Sequence, residues 1–153
     1  MMRYVHTNII AKDCIKLIEF YKNVIGCRSI GEKRDLRGLW LDQLTGIPNA
    51  HIIGEHLVLP GYNEAHPTIE IFSYDQMEGV INHQINAYGI AHLAFEVNNV
   101  VEMLDKVLAN GGGKIGEVVY VDYEDGRKAS YVYATDPEGN IIELQSSVYP
   151  SKQ

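Results

Sequence analysis

A chain of 153 residues, 46% of them apolar, is long enough for one ordinary domain that buries about two-thirds of the surface its unfolded form exposes, with no stapling disulfide. Its 13 Lys and Arg against 20 Asp and Glu leave a net charge of −7, which argues against nucleic acid and membrane as partners while leaving room for a small anion in a locally positive pocket. The two cysteines, Cys14 and Cys27, lack metal-binding spacing, the start "MMRYVHTNII" lacks a signal peptide's apolar core, and no apolar run nears the roughly 18–20 residues of a membrane span, so a reduced, cytoplasmic protein is expected.

Residues 4–10, "YVHTNII", predict a short strand, and Asp13 then offers an oxygen to cap a helix whose apolar positions Cys14, Leu17, Ile18 and Tyr21 share one face. Gly26 stops it, since glycine alone pays no Cβ penalty at a left-handed helix terminus. Strand-like runs follow at 28–34, 51–59 and 67–73. Between the first two, "LRGLWLDQLTGIPNA" at 36–50 reads as an inserted loop, and its apolar Trp40 and Leu41 point to a lid or a subunit contact. After "SYDQMEGVINHQINAY" at 73–88 comes the strand of "GIAHLAFEV" at 89–97. A helix follows, with Asn99 as cap, Glu102 three residues on, Val100, Met103, Leu104 and Val107 as its stripe and Gly112 as its stop. Strand-like runs at 114–121, 129–135 and 140–146 complete the series, the last two joined by the tight turn "DPEGN" at 136–140.

The same order, β-α-β-β-β, therefore occurs twice, with His6 and His92 at equivalent points 86 residues apart. The organisation predicted is α+β: module 1 over about 3–73, a linker over about 74–88 and module 2 over about 89–147, all within one domain spanning 1–153.

Strands alternate faces, so parity sorts their side chains. Leu93, Phe95 and Val97 pack under the helices and leave His92, Ala94 and Glu96 on the other face; Val5, Thr7 and Ile9 oppose His6 and Asn8; Ile69 and Ile71 oppose Glu70; Ile142 and Leu144 oppose Glu143. All four of His6, Glu70, His92 and Glu143 can then face one cavity. Two imidazoles and two carboxylates are donors for a divalent first-row metal, and two Glu neutralise its charge. A strand histidine is more often a packed or solvated group; what sets these apart is that each repeat has a His in its first strand and a Glu in its last.

The duplicated unit, with "VHTNI", "TIEIF", "GIAHLAFEV" and "YATDPEGNIIELQ" in that order, resembles the vicinal-oxygen-chelate superfamily of glyoxalase I, methylmalonyl-CoA epimerase, extradiol dioxygenases and fosfomycin or bleomycin resistance proteins. The resemblance implies paired modules curled into a cup-shaped mixed sheet, a homodimer, and His6, Glu70, His92 and Glu143 as ligands of one divalent ion per site, Ni, Zn or Co. The order His, Glu, His, Glu is that of bacterial glyoxalase I, and "DPEGNIIEL" is close to a run typical of that enzyme. Where glyoxalase I usually has an Arg that holds glutathione, this chain has Ile10, so the likeness does not extend to glutathione as the thiol.

The activity so implied is conversion of a hemithioacetal to a 2-hydroxyacyl thioester through an enediolate. Glu143 would act as the proton-transferring base, with Glu70 as second candidate, on a small-molecule thiol adduct or acyl thioester. Two alternatives stay open: a methylmalonyl-CoA epimerase, which runs similar proton chemistry, and a metal-free binding protein of the bleomycin-resistance kind. Lys33, Arg34 and Arg37 form a basic group suited to an anionic substrate tail or to a solvated edge. Tyr120, Tyr123, Tyr131 and Tyr133 suit a core, a pocket wall or a subunit contact. His51 and His56, five apart in one strand, face opposite sides and are not expected to share a metal; His66 and His83 read as solvated.

Overall fold

Each half of the chain opens with a strand that runs into a side-chain-capped helix. In the computed structural model, which describes residues 1–62, 67–79 and 83–150, the chain falls into two compact units, 1–80 and 81–153. The first contains β1 (His6–Ile10), α1 (Cys14–Phe20), β2 (Arg28–Ser29), β3 (Arg34–Arg37), α2 (Leu39–Thr45), β4 (His51–Val58) and β5 (Thr68–Tyr74). The second contains β6 (Leu93–Glu96), α3 (Val100–Ala109), β7 (Gly113–Lys114), β8 (Val119–Asp122), β9 (Lys128–Thr135) and β10 (Ile141–Val148).

Each unit is one five-stranded mixed sheet with the same topology. The orders are β1-β5-β4-β2, with β3 also on β4, and β6-β10-β9-β7, with β8 also on β9. First and last strands lie side by side and parallel, β1 with β5 and β6 with β10, and the remaining pairs are antiparallel. A parallel pair requires a crossover, which the helix and the intervening strands supply. The fold class is thus α+β with two tandem modules, as the repeat predicts.

The caps act as the sequence indicates. The Asp13 side chain accepts from the Lys16 N–H at 3.1 Å, and that of Asn99 from the N–H groups of Val101 and Glu102 at 3.0 and 3.2 Å, each cap contributing about 1 kcal/mol. Cys14, Leu17, Ile18 and Tyr21 are buried; α1 widens into a π-helical turn over Tyr21–Ile25 and stops at Gly26 (φ 91°). In the second unit Val100, Leu104 and Val107 are buried with Ile142 and Leu144, while Leu93, Phe95 and Val97 are only half-buried.

Three local expectations need correction. The runs at 28–34 and 114–121 are each broken into short strands, β2 and β3, and β7 and β8; Gly31 (φ 71°) interrupts the first and Gly116 lies in the gap of the second. The inserted loop at 36–50 holds the helix α2, bracketed by Gly38 (φ 119°) and Gly46 (φ 73°). Its Asp42 carboxylate accepts from the N–H groups of Asn49 and Ala50, both at 2.9 Å, which folds the returning chain back onto it. The stop of α3 is Gly111 (φ 85°), one residue before the glycine expected. Gly112 is there for space, since a Cβ would lie 2.4 Å from the Thr135 carbonyl oxygen and 2.5 Å from Val107 Cγ1.

Both cysteines are buried and free. Burial pushes the Cys27 thiol up to about 12, so the native protein is expected to resist a thiol reagent at pH 8 and to react at both cysteines only in denaturant. Labelling of Cys27 in native buffer at the rate of a free thiol would show that this core opens readily.

Candidate metal centre

In the first unit, register sets the site. Asn8 of β1, Glu70 of β5 and His56 of β4 lie side by side across three strands, with His6 and Thr68 one row away. His6 Nε2 is 3.2 Å from Glu70 Oε2, and Asn8 Nδ2 donates to the same oxygen at 3.3 Å. His56 Nδ1 lies 3.9 Å from Glu70 Oε1, its Nε2 meets Thr68 Oγ1 at 2.5 Å, and its ring stands edge-on to that of His6 with centroids 5.9 Å apart. His6, His56 and Glu70 each offer one ligand atom, and the three atoms lie within 4.8 Å of one another. Burial pushes the His56 imidazole below its ordinary range; the Glu70 charge opposes this, while His6 and Arg34 add to it. A neutral imidazole is the form that ligates a metal.

The same face continues through Ile10, Phe72, Gly54 and Arg34 to Tyr74, Ile52 and Leu36. Over that far end lies α2, whose buried Leu41 packs with Ala50, Ile52 and Phe72, joined by Leu36, Ile47 and Tyr74. The insertion thus walls one end of the ligand-bearing face with apolar side chains, while its own Leu39, Trp40 and Leu44 remain exposed. Arg34, half-buried, forms no ion pair with another described residue, and its charge is among those that lower the His56 pKa. Its two basic neighbours are engaged elsewhere: Lys33 is 3.8 Å from the Glu55 carboxylate, and Arg37 contacts Asp35 at 3.1 Å and His51 at 2.9 Å.

The second unit repeats the pairing. His92, just before β6, places Nε2 3.0 Å from Glu143 Oε2. Tyr133 of β9 stands directly across from Glu143, its ring centroid 5.1 Å from that of His92. Tyr133 therefore holds here the position His56 holds in the first unit. His92 Nδ1 is buried without a hydrogen-bond partner among the described residues, a cost that packing alone does not explain.

His56 is the residue sequence reading passed over. Its parity relative to His51 was right: His51 bonds to Asp75 and Asp35 at 2.6 and 2.8 Å, and those two contacts raise its pKa against burial and the Arg37 charge. The signal that finds His56 is the register that sets it opposite Glu70, and a single strand's alternation does not contain it. His83 is exposed, and His66 lies outside the described residues. None of the four tyrosines is a core residue: Tyr120 is exposed, Tyr123 and Tyr131 share a hydroxyl hydrogen bond at 2.9 Å under the Arg127 guanidinium, and Tyr133 flanks His92.

Each unit thus joins an imidazole nitrogen to a half-buried carboxylate, the donor chemistry that suits a divalent first-row ion. Residues 3–144 match the model of the Glyoxalase/Bleomycin resistance protein/Dioxygenase superfamily. Among solved structures, a glyoxalase family protein from Bacillus cereus is similar at 24% identity, covering 97% of this chain and 95% of its own, with a TM-score of 0.80. A trypanothione-dependent glyoxalase I from Leishmania major is similar at 21% identity over 95% of this chain and 87% of its own, with a TM-score of 0.61. The fosfomycin resistance protein FosX from Listeria monocytogenes, bound to Mn(II) and sulfate, is similar at 17% identity over 97% and 94%, with a TM-score of 0.55. No curated protein matches. No helix among the described residues is long and apolar enough to cross a membrane.

Proposed function

The chain belongs to the Glyoxalase/Bleomycin resistance protein/Dioxygenase superfamily, and from that premise we propose that it is a metal-dependent lyase or isomerase of the glyoxalase I type, acting in the cytoplasm. His6, Glu70, His92 and Glu143 hold one divalent ion, Ni, Zn or Co, the two pairs being supplied by one chain or by two copies in a homodimer. The observation that carries this reading is the repeated pairing of a histidine and a glutamate at 3.2 and 3.0 Å, His6 on β1 with Glu70 on β5 and His92 just before β6 with Glu143 on β10. A bound ion would supply a Lewis acid that stabilises negative charge on a substrate oxygen.

Glu143 removes the proton from the carbon next to the carbonyl of a hemithioacetal and returns it to the neighbouring carbon, yielding a 2-hydroxyacyl thioester. Glu143 suits this role better than Glu70. Glu70 is held by Asn8 and His6 and flanked by His56, whereas among the described residues the one ion-pair contact of Glu143 is His92. Tyr133 lines the substrate's place beside Glu143. Arg34 holds an anionic part of the substrate, a role Lys33 and Arg37 can share only by giving up their carboxylate partners.

Metal content tests the reading. Chelator-stripped protein incubated with Ni²⁺, Co²⁺ or Zn²⁺ is expected to take up about one ion per site, and His92→Ala to weaken that binding by at least the ~10–100-fold typical of losing even a group that orients a ligand. Turnover is then compared on hemithioacetals of several thiols, on methylmalonyl-CoA and on fosfomycin. Isomerisation of a hemithioacetal supports the proposal; epimerisation of methylmalonyl-CoA alone would replace it, and no ion with no turnover would leave a metal-free binding protein.

A further inference from the structure

We propose that His56 is a third metal donor within the first unit, so that His6, His56 and Glu70 form a cation seat of their own while, among the described residues of the second unit, the matching positions offer two donors; this rests on the metal-dependent reading above. The seat brings one ligand atom each from His6, His56 and Glu70 within 4.8 Å of one another. Thr68 is buried, and its hydroxyl has an acceptor in the Val5 carbonyl oxygen 3.5 Å away. His56 Nε2 meets Thr68 Oγ1 at 2.5 Å; with the ring proton on Nε2, the Nδ1 lone pair faces Glu70 Oε1 at 3.9 Å. Asn8 donates to the other carboxylate oxygen and turns Oε1 toward that gap.

In that tautomer the lone pair opposes a carboxylate oxygen, and a cation between them turns the repulsion into attraction. The His–Thr contact matches the way ligating histidines are held, with the non-ligating N–H donated to an outer oxygen that fixes tautomer and ring orientation. In the second unit the corresponding position is Tyr133, a phenol, so the two halves of the duplication differ in donor number at this point. An added imidazole shifts preference toward Co²⁺, Ni²⁺ and Zn²⁺ and away from Mn²⁺.

The test is Co²⁺ titration of the full chain, read by visible absorption, with Mn²⁺ as competitor and circular dichroism as a check on folding. His56→Ala is expected to bind Co²⁺ at least about 10-fold more weakly, to shift the visible band, and to narrow the Co²⁺ over Mn²⁺ preference. His92→Ala is expected to keep a weakened ion that disappears when His56→Ala is added. If His56→Ala does not fold, Thr68→Val is the substitute, expected to weaken binding ~10–100-fold by releasing the ring. Folded His56→Ala, or in its place folded Thr68→Val, with wild-type affinity and spectrum would overturn the inference and leave the four-residue site intact. Wild type that binds no ion would instead sink both, and His92→Ala with wild-type affinity beside a weakened His56→Ala would support the seat and remove His92 from the ligand set.

Discussion

Glu143→Gln is expected to lower kcat for hemithioacetal isomerisation by about 10²–10⁴-fold, the usual contribution of a positioned general base. The amide keeps an oxygen where the carboxylate had one and removes the basicity, so metal uptake should fall far less than turnover. The mirror substitution Glu70→Gln should show the opposite balance. The Glu70 carboxylate contacts Asn8 Nδ2 at 3.3 Å and His6 Nε2 at 3.2 Å and faces His56 at 3.9 Å, so its charge holds neighbours in place. Its loss should weaken the metal first and lower turnover as a consequence, recoverable in part at high metal concentration. The measurement is kcat and metal affinity on both variants. Wild-type kcat in Glu143→Gln would remove Glu143 as the base, and a turnover loss in Glu70→Gln that added metal does not restore would move the role to Glu70.

The two His–Glu pairings were legible because a duplicated β-α-β-β-β pattern brings those residues together. Once the first and last strands of a unit are parallel neighbours, a His on one and a Glu on the other with matching parity must share a face, as Asn8 and Glu70, and Ala94 and Glu143, show by register. The caps at Asp13 and Asn99 and the turn at 136–140 were legible for a similar reason, since each is a contact within about four residues. There Asp136 Oδ1 accepts from the Glu138 and Asn140 N–H groups at 2.9 and 3.0 Å. What was not legible depends on longer distances. His56 comes opposite Glu70 only through a β4–β5 pairing whose connection is too long to fix register by turn type. The insertion hid its helix because two glycines bracket only seven residues, and its one buried side chain, Leu41, packs on a sheet face rather than on a helical stripe of its own.

The largest loss of stability is expected at a residue with no side chain. Gly54 sits in the middle of β4 with φ 152°, between Arg34 of β3 and Phe72 of β5. A Cβ built there would lie 2.0 Å from the Ile71 carbonyl oxygen, 2.7 Å from Phe72 Cδ1 and 2.9 Å from Phe72 Cα. Two of those three atoms are backbone of a central strand and cannot swing aside, so Gly54→Ala must part β4 from β5. The cost should exceed about 4 kcal/mol, the range reserved for backbone strain and broken packing. Gly61→Ala is the control: its φ of 87° also favours glycine, but nothing lies within 4 Å of the added carbon, so it should cost only the ~1–2 kcal/mol of a left-handed backbone. Urea unfolding of the two variants separates strain of φ from collision. Because the β4–β5 register is also what sets His56 against Glu70, any Gly54→Ala that does fold should bind metal more weakly than Gly61→Ala. A Gly54→Ala within about 1 kcal/mol of wild type, with metal affinity unchanged, would mean that the close approach of these two strands carries neither the fold nor the site.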